Sequence, residues 1–376
     1  MRASRSSSDH GAVALVTGAT GFLGGAIAAE LLMRKPHVRA LFLVRASDAR
    51  SGLRALRQSI ARFEPGRSAL ARLTEESVFC GDLESFPLLT ADPRASTVTH
   101  VLNCAALVSF SWKREVWRTN VEHTTAFAEC VARLPALRRV LHVSTAMVSG
   151  GTTNRMVSED DFPGAARQFT LYTKSKAEIE RRLPGALNGA LVIARPSIIV
   201  GHTRIGCNAS ASLFWLFRMI HAARRLPFSP LRRIDIVPVD YCARALVHLM
   251  LKDDLAHDRY HISAGPDASC SFSEIDTAYS RARGEADDTA LQVADFENMP
   301  MMADDFHTWF GPCDAKRAAS AIKVYRAFAG LNVTFDNARL LAEGIASPPR
   351  FADYLDACVR TGERETIAEQ MTHDAR

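Results

Sequence analysis

The sequence predicts an α/β protein: a Rossmann-type, doubly wound parallel sheet with a smaller, mostly helical C-terminal lobe for substrate. Three observations carry this expectation. Residues 13–24, VALVTGATGFLG, join a short apolar strand to an Ala/Leu/Ile-rich helix through a glycine-rich turn. Strand-like and helix-like stretches then alternate up to Ala194, as they do when parallel strands are joined by crossover helices. Past Gly201 the alternation stops, and Ser-, Phe- and Leu-rich sequence takes its place.

The strand Val13–Val16 is broken by Thr17-Gly18, and the helix is expected over Phe22–Met33. The turn between them, with Gly18, Thr20, Gly21, Phe22, Leu23 and Gly24, is an anion site. Its glycines let the backbone approach a pyrophosphate, and the free N–H groups of the helix start face it. Arg39–Val44 is a second strand, ending at Arg45. An acidic residue at that tip would bind both ribose hydroxyls of NAD, whereas arginine suits the 2′-phosphate of NADP, with Arg50 and Arg54 close behind. A helix is expected over Ser51–Phe63 and a third strand over Glu76–Cys80. The strand ends in Gly81-Asp82-Leu83, where Asp82 either accepts from an adenine amino group or shapes the turn.

The fourth strand, Val98–Cys104, leads into Asn103-Cys104-Ala105-Ala106, whose small residues let a dinucleotide lie against the backbone. A long helical stretch follows, Lys113–Leu134, with Asn120 inside it. The fifth strand, Arg139–Val143, delivers Ser144-Thr145 at its carboxyl end, where open α/β sheets bind ligands. Tyr172 and Lys176 then open a helix at i and i+4, on one face. An ammonium beside a phenol favours the phenolate, which is how a tyrosine becomes usable in proton transfer near neutral pH. Ala190–Ala194 is the sixth strand, followed by Arg195-Pro196-Ser197. Further pieces are Ile234–Asp240 (extended), Tyr241–Lys252 (helix), Tyr260–Ala264 (strand), and helices around Phe272–Arg283, Ala315–Phe328 and Asn337–Glu343.

Four segments are expected. Residues 1–11 are a disordered N-terminus. Residues 12–203 form the nucleotide-binding domain, to which 235–265 return. Residues 204–234 and 266–360 form the substrate lobe, and 361–376 a polar tail. The 376 residues are 47% hydrophobic and 23% charged, as in ordinary globular proteins. No apolar run reaches the roughly 18 residues of a membrane span; Ala209–Ile220 is too short and carries Arg218. Eight cysteines without a Cys-x-x-Cys pair suggest neither a disulfide framework nor zinc, and twelve histidines show no ligand spacing, so no metal is expected. Reduced thiols make the cytoplasm the expected compartment. The net charge of +5 is dispersed arginine without a nucleic-acid-reading motif.

Taken together, TGATGFLG, Gly81-Asp82-Leu83, NCAA, Ser144-Thr145, Tyr172-x-x-x-Lys176 and RPS resemble the extended short-chain dehydrogenase/reductase superfamily. LFLVRA, HVSTAMVSG, RPSIIVGHTRIG and DIVPVDYCARALVHL narrow the resemblance to its thioester reductase branch, the male-sterility or fatty-acyl reductase type, over roughly residues 12–265. The resemblance implies that Gly18, Gly21 and Gly24 line the pyrophosphate, that Arg45, with Arg54, holds the 2′-phosphate of NADP(H), and that Asp82 contacts adenine. Leu83, Asn103, Ala105, Pro196 and Ser197 complete the cofactor set. Thr145, Tyr172 and Lys176 would be catalytic. Thr145 would hydrogen-bond the reacting carbonyl and Tyr172 supply the proton. Lys176 would depress the tyrosine pKa and hold the nicotinamide ribose. Ser144 stays open as the alternative to Thr145. Phe110, Met147 and Val148, beside active-site strand ends, are expected to touch substrate.

The implied reaction is hydride transfer to an acyl thioester, giving an aldehyde and a thiol; whether a second hydride carries the aldehyde to the alcohol stays open. Domains of this branch usually adjoin a carrier or adenylation domain. Neither is present in this sequence, so the thioester is expected in trans, on coenzyme A or a separate acidic carrier protein. Arg218, Arg224, Arg225, Arg232 and Arg233 are candidates to meet it, unless they form an ordinary solvated face. Two other chemistries share the fold: an alcohol/ketone dehydrogenase of hydroxysteroid or dihydroflavonol type, and a sugar-nucleotide epimerase or dehydratase, which usually carries an acidic residue where Arg45 stands. A non-catalytic NADP sensor would typically lack the Tyr/Lys pair.

Overall fold

The computed structural model describes residues 11–64, 66, 68–108, 113–161, 168–210, 212–286, 290–293, 326–328 and 330–374. Its centre is a seven-stranded parallel sheet: β1 (Val13–Thr17), β2 (Arg39–Val44), β3 (Val78–Cys80), β4 (His100–Asn103), β5 (Arg139–Val143), β6 (Leu191–Pro196) and β7 (Arg259–Ile262). The strand order is 3-2-1-4-5-6-7. The direction of winding reverses at β1, and the cleft outside the carboxyl ends of β1 and β4 is where such sheets bind ligands. Strands β1, β4 and β5 are buried on both faces, which is why they read as apolar runs rather than alternating ones.

On one face lie α1 (Phe22–Arg34), α2 (Ala49–Ala61) and, later in the chain, the helix Val239–Leu251. The buried residues of α1 include the small Gly24, Gly25, Ala26, Ala28 and Ala29 beside Ile27, Leu31 and Leu32, and the Val239–Leu251 helix packs closely against α1. The other face is covered by the helical stretch from Arg114 to Val131 and by Leu171–Leu187. Phe127, Val131, Ile179 and Leu183 form a second apolar layer there with Leu15, Leu41 and Val101.

The stretch expected as one helix over Lys113–Leu134 has an irregular middle: α3 (Arg114–Trp117), a π-helical turn at Arg118–His123, then α4 (Thr124–Val131). The wider turn carries Asn120, whose side chain is fully used. Its Oδ1 accepts from Leu107 N at 2.8 Å, and its Nδ2 donates to Leu107 O at 3.0 Å and Ser175 Oγ at 3.1 Å. One amide thus ties the β4 loop to α5 (Leu171–Leu187). Such turns recur at functional sites.

A separate apolar core lies in the C-terminal part. α6 (Phe214–Ala223), α8 (Phe272–Arg283) and α9 (Phe351–Gly362) bury Phe214, Trp215, Phe217, Phe272, Phe351 and Tyr354; the Val239–Leu251 helix counts as α7. The sequence pattern indicated no helix at Phe351–Gly362, although Phe351, Tyr354, Leu355, Cys358 and Val359 follow the helical period. Nor is the chain after Thr361 a mere polar tail: α10 (Ile367–Asp374) follows, and Ile367 and Gln370 are buried. The N-terminal residues 1–10, and all but the end of the helix expected over Ala315–Phe328, lie outside the described residues.

Candidate active site

At the carboxyl ends of the central strands lies a cavity of about 690 Å³. Its floor is the β1–α1 turn: Gly18, Thr20, Gly21, Phe22, Leu23 and Gly24 all line it. Two glycines are obligatory here. Gly18 has φ +73°, and a Cβ on it would meet the Cys104–Ala105 backbone at 2.8 Å; a Cβ on Gly24 would fall 2.0 Å from Gly18 O. Gly21 caps α1 without a side-chain acceptor, and the first turn holds no acidic residue, so the free N–H groups at the helix start face the cavity. Asp82 and Leu83 after β3, and Arg45 after β2, line the adjoining wall. Arg45 is exposed and makes no ion pair among the described residues. A glycine cradle with unpaired N–H groups and a guanidinium beyond β2 fits the pyrophosphate and ribose end of a dinucleotide.

Asp82 shapes the turn after β3. It lines the cavity, and its Oδ1 accepts from Ser85 N at 2.9 Å, which holds its carboxyl below the usual range. Ala105, Pro196 and Ser197 also line the cavity. Asn103 does not. Strand register sets Thr17, Asn103 and His142 side by side, and Thr17 Oγ1 donates to Asn103 Oδ1 at 2.6 Å while Asn103 Nδ2 meets His142 Nδ1 at 3.3 Å. Its amide braces the sheet beneath the site. Arg54 sits exposed on α2, outside the cavity wall.

Thr145, Tyr172 and Lys176 line the same cavity. Thr145 follows β5 and caps a 3₁₀ turn, its Oγ1 accepting from Met147 N at 3.3 Å, so its O–H proton is free to donate elsewhere. Ser144 is committed differently: its hydroxyl donates to Glu180, which pairs with the fully buried Arg195 at 2.6 Å. Tyr172 and Lys176 occupy the first turns of α5, which Thr170 caps through Thr173 N at 3.1 Å.

The expected depression of the tyrosine pKa by Lys176 is not what this geometry produces. Burial pushes the Tyr172 phenol well above its usual value. Lys176 Nζ donates to Val143 O at 2.7 Å and lies 6.0 Å from the Tyr172 ring centroid. Burial lowers its own pKa to about 8, against the opposing charge effects of Cys104 and Glu180. Tyr172 therefore holds its proton at neutral pH.

Two of the expected substrate contacts point elsewhere. The 3₁₀ turn Ala146–Ser149 carries Met147 against a small cluster with Ala146, Val157 and Phe335, and buries Val148; neither lines the cavity. Phe110 lies outside the described residues. Four of the five arginines of the basic cluster serve as internal fastening. Arg218 Nη1 donates to Gly362 O and Glu365 O, Arg224 pairs with Asp276 at 2.9 Å, Arg232 binds Gly330 O, and Arg233 binds Pro266 O and Ser269 O. Sequence reading missed the rim of the cavity, where Arg118 pairs with Glu84 at 2.8 Å beside His123. It also missed Glu180, one turn past Lys176, whose i+4 spacing was the available signal.

The sheet order and the glycine turn are those of a nicotinamide-dinucleotide-binding protein of the extended short-chain dehydrogenase/reductase type. Residues 16–246 match the model of the male sterility protein family, one of the NAD-binding families, and the chain belongs to it. It is 28% identical over 272 residues to aldehyde reductase lnaA of Aspergillus flavus, covering 66% of this chain and 25% of that one. It is 30% identical over 265 residues to one of the linear gramicidin synthase proteins of Brevibacillus parabrevis, covering 66% of this chain and 5% of that protein. The chain thus spans a quarter or less of these two relatives. Among solved structures, the terminal R domain from the myxalamid PKS-NRPS biosynthetic pathway superposes with TM-score 0.68 at 21% identity, covering 94% of this chain and 91% of that one. At such identity the likeness is one of fold. The dTDP-glucose 4,6-dehydratase of Bacillus anthracis shares that fold at TM-score 0.61 and 17% identity, covering 94% and 97%.

Proposed function

We propose that the protein reduces an acyl thioester to an aldehyde and a thiol, with NADPH as reductant and Thr145, Tyr172 and Lys176 as catalytic residues. One observation carries this reading: the glycine cradle, Arg45 and those three side chains line a single cavity. The cofactor, when bound, supplies the hydride. Everything else falls to the chain's own groups. Thr145 and Tyr172 present O–H donors to an oxygen that gains negative charge, where fixed donors in a water-poor site contribute most. A phenol kept protonated by burial is a donor at neutral pH and can release its proton as charge develops. Lys176, a cation below about pH 8, brings a positive charge to the same cavity wall.

Thioester rather than ketone as substrate is favoured by the sequence relatives, the aldehyde reductase at 28% identity and the linear gramicidin synthase protein at 30%. The acyl group would arrive on coenzyme A or on a carrier protein, and the cytoplasm is the proposed compartment. Residues 12–203 with 235–265 would hold the cofactor, and 204–234 with 266–360 the acyl group. Counting thiol released against NADPH oxidised tests the reading: one NADPH per thiol marks an aldehyde product and two mark an alcohol. Oxidation of NADPH without thiol release would overturn it.

A further inference from the structure

Beneath the proposed catalytic turn lies a buried ion pair that faces neither solvent nor the cavity. Glu180, on α5, is 1% exposed, and Arg195, on β6, is 0% exposed; neither lines the cavity wall. Their pairing is bidentate: Arg195 Nη2 donates to Oε2 at 2.6 Å and Nε to both carboxylate oxygens at 3.1 Å. Arg195 Nη1 donates to Glu159 O at 2.9 Å, anchoring the guanidinium from a third direction. The same carboxylate accepts the hydroxyl of Ser144, a residue of the cavity wall immediately before Thr145. A buried ion pair is costly to desolvate and is weak evidence of stability, so a role in fixing geometry is the better account of its presence here.

We propose that Glu180 is a positioning residue: its carboxylate, locked by Arg195 and by Ser144, sets the placement of Thr145 and Lys176 above it. This rests on the catalytic reading of those two residues. The carboxylate joins three elements at one point: the end of β5, β6 and α5. Register makes Val143 the neighbour of Ala194, and Ser144 N donates to Ala194 O at 2.7 Å. The Ser144 side chain then reaches Glu180, so the backbone that presents Thr145 is held from both sides. Lys176, one helical turn before Glu180, donates to Val143 O, the carbonyl just ahead of Ser144. The charged or titratable groups facing its ammonium are Cys104 from β4's end, His142 from β5, and Tyr172 and Glu180 from its own helix. Of the four, Glu180 is the one held in an ion pair, with Arg195.

The test uses the full chain. Amine labelling of Lys176 across a pH series, read by peptide mass spectrometry, reports its protonation without turnover. Glu180→Gln should move the labelling midpoint down by about one pH unit, because an acceptor remains but the charge is gone. Gln removes the counter-charge of Arg195, so the double variant Glu180→Met/Arg195→Met carries the same measurement if the single one does not fold. Ser144→Ala, which keeps the ion pair, should lower kcat about tenfold while KM and NADPH affinity stay within about twofold. An unmoved midpoint in whichever charge variant folds, or wild-type kcat in Ser144→Ala, would overturn the proposal. A wild-type protein that reduces no thioester would fail the functional reading and leave the labelling result to decide the Glu180–Lys176 coupling by itself.

Discussion

Burial sets the character of Tyr172 and Lys176 more than their mutual charge does. The phenol is pushed up and the ammonium down, both because burial penalises the charged form. Removing the phenolic O–H should therefore remove a proton donor and little else: Tyr172→Phe is expected to lower kcat by roughly 10²–10⁴-fold with NADPH affinity nearly unchanged by fluorescence titration. Lys176 carries a stability cost. Its folded pKa of about 8 lies below the ordinary 10.5. Above 10.5 neither state is charged. As pH falls, the unfolded chain takes up a proton first, and below about 8 the full difference, roughly 3 kcal/mol, weighs against folding. Lys176→Met should thus be inactive yet have a higher Tm at pH 7, with the advantage shrinking as pH rises through the window from 8 to 10.5. Arg45→Asp should weaken NADPH at least about tenfold more than NADH, since only the former carries the 2′-phosphate; equal losses would remove Arg45 as its reader.

Among elements, the strands were the most legible, and their ends were the least. Arg39–Val44 and Arg139–Val143 stand where the apolar runs put them, because strands buried on both faces have no competing pattern. Which way an end residue faces depends on register with its neighbours, which a single strand does not encode. Asn103 reads as part of the cofactor set, whereas pairing with Thr17 and His142 turns it under the site. Met147 and Val148 leave the cavity because one 3₁₀ turn redirects the chain after Thr145. The arginines of the C-terminal part looked like a patch because sequence shows charge and not the carbonyls waiting for it. Arg218→Ala should cost about 1–3 kcal/mol and speed hydrogen exchange across residues 363–374, with KM for a carrier-bound substrate unchanged. A raised KM with unaltered Tm would instead make Arg218 a docking residue.

At the scale of the molecule, the sheet and the C-terminal core are distinct clusters that meet around the loop after β6. Gly206 packs so tightly on α9 that a Cβ there would lie 2.1 Å from Ala357 O, and Cys207 N donates to Thr361 Oγ1 at 2.8 Å. The glycine turn, Arg45 and the Tyr172/Lys176 pair were legible because each is local in sequence. The C-terminal core was not, because its contacts join residues far apart in the chain, such as Tyr354 to Val200. Deleting residues 346–376 should expose the apolar faces of α6 and α8 and drive the protein into aggregates on size-exclusion chromatography. No helix among the described residues is long and apolar enough to cross a membrane.

The proposed thioester reduction in the cavity above β1, β4 and β5 is tested by NADPH oxidation against a matched panel. The panel holds acyl-coenzyme A and acyl-pantetheine thioesters, the corresponding aldehydes, and ketones of similar size. Oxidation is expected with the thioesters, with aldehyde or alcohol identified by mass spectrometry, and is expected to be lost in Tyr172→Phe. Oxidation with ketones alone, and none with any thioester, would contradict the proposal.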